Sequence, residues 1–381
     1  MSTVTPTSPA PAHEAGGRPP RRRRRWWLFA LLGGVVVVVL GAIGLFAWVI
    51  PQQQACSTAA DPTRSGAITE YCPSDPYQPF SGAMTFGPDG ALWYTTNNNT
   101  KIARFTLASG AVTATAAPSE PNRVAYAGLV RGSDGNLWYI ANNTLGRLRP
   151  HGQFTEYALS KELGFVGEID AGPDGVLWVT TGNGALLNIA IPSPSDTTAA
   201  PRITQVTGLP PNTGSPMAVA PDGSLWAATF EMSGNTAVST HFTRITPTGK
   251  ITQLPVTLPG GIGALTTAPD GKMWYMSAPY QQESRIGWIT PSGATATSYR
   301  VALAEGSAPS LAIGPDGNAW FATKEGGVGR ITPAGVVTTF ALPQTDGNIT
   351  NITAGPDAGI WAMQGWSMPG QPSSRLVRIT P

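Results

Sequence analysis

Between Pro309 and Pro343 the chain alternates short apolar runs with small, turn-forming residues: PSLAI, NAWFA, VGRIT and VVTTFA are separated by Gly-, Pro- and Asp-rich breaks. Period-two alternation in runs this short predicts half-buried strands, and the breaks predict reversals, so the stretch predicts a four-stranded antiparallel meander. In the first break, Gly314-Pro315-Asp316-Gly317, proline presets φ at a central position and glycine tolerates positive φ.

The unit recurs. GPDG-type turns begin at Gly87, Gly132, Gly172, Ala220, Ala268, Gly314 and Gly355, and each is followed by a tryptophan: Trp93, Trp138, Trp178, Trp226, Trp274, Trp320 and Trp361. Three residues before each turn stands an apolar side chain, from Met84 to Ile352. A second landmark, R-I-T-P-x-G, surrounds Arg244 and Arg330, is looser near Arg104 and Trp288, and is largely lost near Asn188. Repeats of this length with four strands each predict an all-β, seven-bladed β-propeller, because one four-stranded sheet cannot bury both faces until neighbours cover it. The tryptophans are then packing residues between blades, and the repeated Asp is a turn residue, since the rest of a Ca²⁺ loop is missing.

The two ends predict how the ring closes. The last copy stops at R-I-T-P with Pro381, while Gly66–Tyr71 (GAITEY) matches Gly335–Phe340 (GVVTTF). A propeller over residues 66–381 is expected, with strand 66–71 completing the last blade.

The remaining 65 residues change the picture of where the propeller sits. Residues 1–25 are Pro-, Ala-, Ser- and Gly-rich and end in Arg21–Arg25, a disordered basic tail. Residues 26–50 are uncharged and carry Trp26, Trp27 and Trp48 near the ends. That length spans a hydrocarbon core of ~30 Å as a helix, and the preceding arginines predict a cytoplasmic N-terminus. A cleaved signal peptide fits less well, because its apolar region is usually about 7–15 residues and ends at small residues. The expectation is a single-pass cell-membrane protein with one N-terminal transmembrane helix, a linker over 51–65 and an extracytoplasmic propeller. Cys56 and Cys72 would then lie in an oxidising compartment, either bridged by a disulfide or as two unpaired thiols. Beyond residue 50 the chain carries 18 basic and 21 acidic residues. It is weakly acidic, without the basic stripe that nucleic acid requires.

The pattern P-x-x-I-x-x-GPDG-x-x-W-F/Y-T followed by I-G-R-I-T-P-x-G resembles the streptogramin B lyase (virginiamycin B lyase) family of seven-bladed propellers, and more distantly the NHL and gluconolactonase-type propellers. The resemblance implies elimination at the ester of a cyclic depsipeptide, with Mg²⁺ held by glutamates and a histidine as base. It further implies Glu three residues after many of the tryptophans. Those positions here are Thr96, Ala141, Thr181, Thr229, Ser277, Thr323 and Gln364. His151 falls in a turn and His241 beside a third strand, so no catalytic residue is carried over.

Candidate chemistry remains on the innermost strands, where most channel-facing positions are small. Glu168 and Asp170 stand two apart and therefore on one face. They can hold Mg²⁺ or Ca²⁺ or a cationic ligand group, or be solvated or paired with Arg131; Arg131 and Asn351 of the seventh copy join them as ligand-binding candidates. Asn97–Asn99 and Asn142–Asn143 are loop residues able to form a rim. Two readings follow: a module binding a small-molecule or protein ligand at the channel mouth or rim, which is preferred, and a Mg²⁺-dependent lyase or hydrolase acting on a cyclic depsipeptide or lactone.

Overall fold

The computed structural model describes residues 65–72, 79–96, 101–116, 118, 126–141, 143–164, 166–193, 199–277, 284–303, 310–343, 347–365 and 374–381. The chain divides into Met1–Ala55 and Cys56–Pro381, and all of these residues belong to the second unit. The predicted basic tail, transmembrane helix and most of the linker lie outside the described residues, as do Cys56, Asn97–Asn99 and Asn142. Cys72 is described and is disulfide-bonded.

Seven four-stranded antiparallel sheets make up the described chain. Their innermost strands are Pro79–Phe86, Tyr126–Arg131, Val166–Ala171, Thr213–Val219, Ile262–Thr267, Leu311–Ile313 and Asn348–Ala354, which define blades one to seven in order. Each innermost strand touches the next and the seventh touches the first, so the blades surround a common axis. In blade seven the outermost strand is Ile68–Tyr71, which pairs with Arg375–Ile379 so that Ile68 faces Ile379 and Tyr71 faces Leu376. The all-β, seven-bladed architecture expected from the repeat is therefore present.

All seven repeat tryptophans are buried. They fill the space between neighbouring blades: Trp138 of blade two packs with Ile169 and Leu177 of blade three. Trp361 of blade seven packs with Met84 and Leu92 of blade one. Truncating an aromatic so placed costs about 3–5 kcal/mol.

The turn before each tryptophan does more than reverse the chain. In four blades the turn Asp accepts a hydrogen bond from the indole N–H: Asp89 from Trp93, Asp134 from Trp138 and Asp316 from Trp320, each at 3.1 Å, and Asp357 from Trp361 at 3.2 Å. An arginine from the third strand then reaches the same acid, as Arg104 does at 2.6 Å and Arg378 at 2.5 Å. The leading glycine makes this possible. A Cβ at Gly87 would stand 2.5 Å from the Trp93 Nε1 atom and 2.6 Å from Asp89 Oδ1. Blades four and five carry Ala220 and Ala268 there; Asp222 turns instead to Arg244, and Asp270 to Lys272.

Candidate functional site

Glu168 and Asp170 lie on the innermost strand of blade three and face blade four. That geometry follows from the period of the strand: Ile169 between them packs back against blade two, so its neighbours must point the other way. The innermost strand of any blade has an edge without a sheet partner, and its backbone donors need acceptors from elsewhere. The two acids supply them. Glu168 Oε2 accepts from the Ser215 hydroxyl at 2.6 Å and from Met217 N–H at 3.2 Å. Asp170 Oδ2 accepts from Val219 N–H at 2.8 Å, and its Oδ1 accepts from Ala171 N–H at 2.8 Å.

The same device recurs around the ring without charge. Ser310 accepts from Ile352 N–H of blade seven at 2.7 Å, Thr267 donates to the Val219 carbonyl of blade four at 2.8 Å, and Asn351 donates to the Gly82 carbonyl of blade one at 3.3 Å. Asn351 thus joins blades seven and one and is not brought to the acid pair.

Desolvation pushes Glu168 up to about 7, helped by the neighbouring Asp170 charge and opposed by the Ser215 and Met217 hydrogen bonds. Desolvation likewise raises Asp170 to about 6, against the bonds from Val219 and Ala171. A divalent cation needs ionised carboxylates with free oxygens. Here three of the four carboxylate oxygens accept hydrogen bonds, and burial makes ionisation of both acids costlier than in water. Among the described residues no third His, Cys, Asp or Glu joins them. The pair does not fit Mg²⁺ or Ca²⁺.

The positions three after each tryptophan are all buried, and most tie down the adjoining loops. Thr323 accepts from Gly327 N–H, Ser277 from Arg285 N–H, and Gln364 donates to the Gly347 carbonyl. His151 is exposed in a turn. His241 lies on the third strand of blade four between Ser239 and Thr257, at 3.2 Å from each hydroxyl.

Arg131 makes no pair with the two acids. It is exposed, has no hydrogen-bond or ion-pair partner among the described residues, and lines a cleft of ≈ 690 Å³. The cleft opens where the innermost strands of blades two to five run into their GPDG-type turns, so its wall is largely glycine, alanine, valine and proline. Pro173, Pro221 and Pro269 line it at equivalent turn positions. Sequence reasoning named Arg131 as a partner for the acids and as a ligand-binding candidate beside them, and did not find the cleft. The available signal was the residue before each turn, which is charged in blade two alone.

A family model described as the virginiamycin B lyase family matches residues 48–195 and 201–367. Virginiamycin B lyase of Bordetella parapertussis (strain 12822 / ATCC BAA-587 / NCTC 13253) is 40% identical over 60 residues, 16% of this chain and 20% of that protein. The matched stretch therefore spans one fifth of the curated relative's length. Among solved structures, a catalytically inactive histidine-to-alanine variant of virginiamycin B lyase from Staphylococcus aureus with quinupristin is 21% identical. It superimposes with a TM-score of 0.64 over 82% of this chain and 99% of that one. A streptogramin B lyase structure is 24% identical, with a TM-score of 0.62 over 82% and 97% of the two chains. At these identities the structures bear on the fold alone.

Proposed function

The chain belongs to the virginiamycin B lyase family, and on that premise we propose that it is a ligand-binding propeller displayed outside the cytoplasm rather than a lyase. One observation carries the reading: four consecutive blades open a cleft of ≈ 690 Å³ that holds an exposed, unpartnered arginine. That volume lies within the range of about 300–1,000 Å³ usual for ligand sites. The only paired acids on an innermost strand among the described residues are meanwhile engaged in holding blade four. Proton abstraction next to a carbonyl needs a positioned base, usually with an electrophile. Three of the four oxygens of Glu168 and Asp170 accept from backbone and hydroxyl donors.

The uncharged run Trp26–Ile50 supplies the anchor in this reading, and Arg21–Arg25 set its orientation. The propeller then works at the outer face of the cell membrane.

Incubating the full-length chain with Mg²⁺ and a cyclic depsipeptide tests the proposal, with mass spectrometry reading ring opening. The expected result is an intact ring. Accumulation of a linear product would establish the family's lyase activity here and overturn the binding reading.

A further inference from the structure

The residue that ends each innermost strand, immediately before the turn, forms a ring around one mouth of the channel. In the four blades that build the cleft these residues are Arg131, Ala171, Val219 and Thr267; in the other three they are Phe86, Ile313 and Ala354. Arg131 is therefore the one charged member of an otherwise apolar and hydroxyl-bearing ring. The acids of the neighbouring turns lie against their own turns and pair within their own blades or border the next. Asp134 holds Trp138 and Asn136, Asp222 holds Arg244, and Asp270 holds Lys272. The Asp174 carboxylate bridges two turns, with Oδ1 over Gly172 of its own turn and Oδ2 beside Gly223 of blade four.

Resting on the binding reading above, we propose that this cleft takes an organic monoanion: a carboxylate that pairs with Arg131, carried on a compact apolar body that lies against the proline- and alanine-lined wall. A guanidinium matches a carboxylate with two parallel N–H···O bonds. One cation at the wall, with no lysine or histidine beside it among the lining residues, suits a single negative charge better than a dianionic phosphate. The apolar wall supplies contact area, and the arginine sets orientation, the division of labour usual in small-molecule sites.

The test is titration calorimetry on the full-length chain in lipid nanodiscs, with empty nanodiscs as the blank. The probes are N-acetylphenylalanine and its uncharged amide. The acid is expected to bind roughly tenfold or more tightly than the amide, the worth of one charge-assisted pair. Arg131→Ala should bring the acid to the level of the amide, and Arg131→Lys should keep part of the preference. Arg131 is exposed and unpartnered, so these variants fold. Pro221→Trp fills the cleft and should weaken both probes; blade two carries Ser133 at that turn position, so proline is not required there.

Equal binding of acid and amide, or acid binding insensitive to Arg131→Ala, overturns the monoanion assignment. If Pro221→Trp still abolishes both probes in that case, the cleft binds a different class of ligand and the wider reading stands. Failure of both probes to bind wild-type protein overturns the assignment as well. The depsipeptide assay does not involve Arg131, so it judges the wider reading separately.

Discussion

Blades six and three share one strand plan and treat charge in opposite ways. In blade six, Asp316 takes the Trp320 indole N–H at 3.1 Å and the Asn318 side chain at 2.7 Å, while Arg330 approaches it to 3.6 Å and lies 5.7 Å over the Trp320 ring. In blade three, Asn188 stands opposite Trp178 where Arg330 stands opposite Trp320. Asp174 still lies over its leading Gly172, but the Trp178 indole does not, and the Trp178 N–H is buried with no acceptor among the described residues. Blade three places its acids on the innermost strand instead, where Glu168 and Asp170 serve the edge of blade four. Acids in the turns brace their own blade, whereas acids on the inner strand join two blades.

The pKa directions follow that division. Burial raises Asp89 and Asp357 of the turns, but hydrogen bonds from Arg104 and Trp93, and from Arg378 and Trp361, outweigh it and leave both below their usual range. No cation reaches Glu168 and Asp170, so burial wins and both rise.

The largest expected effect tests that contrast. Glu168 titrates near 7 in the fold against 4.5 unfolded, and Asp170 near 6 against 3.8, so the folded chain holds protons that the unfolded chain has released. Stability is then greatest below the unfolded values and falls as pH rises through the folded ones, by on the order of 2–3 kcal/mol for Glu168. The lowered turn acids lose their contribution only below their usual range, outside this window. Thermal melts from about pH 5 to about pH 8 should show a declining Tm, and Glu168→Gln should flatten the decline and raise the Tm at the alkaline end. A wild-type Tm that climbs across this range would contradict the assignment.

A smaller effect separates the two turns directly. Asp316→Ala strands the buried Trp320 N–H and frees Arg330, which should cost about 2 kcal/mol by denaturant unfolding. Asp174→Ala removes no such bond and should stay within about 0.5 kcal/mol. Equal losses would mean that the acids act through the turn alone. Smallest of all, Asn188→Arg offers Asp174 the missing cation and should stabilise by about 0.5 kcal/mol, the worth of an exposed pair. An unchanged midpoint would show that the added cation does not pair with Asp174.

Much of the architecture is legible in the chain because it is written locally: each turn, its tryptophan and its apolar partner lie within about ten residues and repeat. The parity of Glu168 and Asp170 is local too, and it placed them on one face. Their role was not legible, because the donors they serve, Met217 and Val219, lie 49 residues on in the next blade. Nor was the link between the leading glycine and the indole–Asp bond, which depends on how close Gly87 lies to the Trp93 ring. Blade four also has longer strands than the repeat predicts, Leu225–Ser233 and Thr236–Ile245. Gly234 is the only glycine or proline between Trp226 and Pro247, and that scarcity of breaks was the signal for them.

Glu168 and Asp170 of blade three tie blades three and four together, and the pair does not fit a catalytic metal. A ligand that binds the native state raises its melting temperature, by an amount that grows with the logarithm of ligand excess. Melting wild-type and Glu168→Gln protein with and without millimolar Mg²⁺ therefore tests the claim most directly. No Mg²⁺-dependent rise is expected in either protein, and Glu168→Gln should be at least as stable as wild type at neutral pH. A rise in Tm with Mg²⁺ in wild type that is lost in Glu168→Gln would contradict the claim.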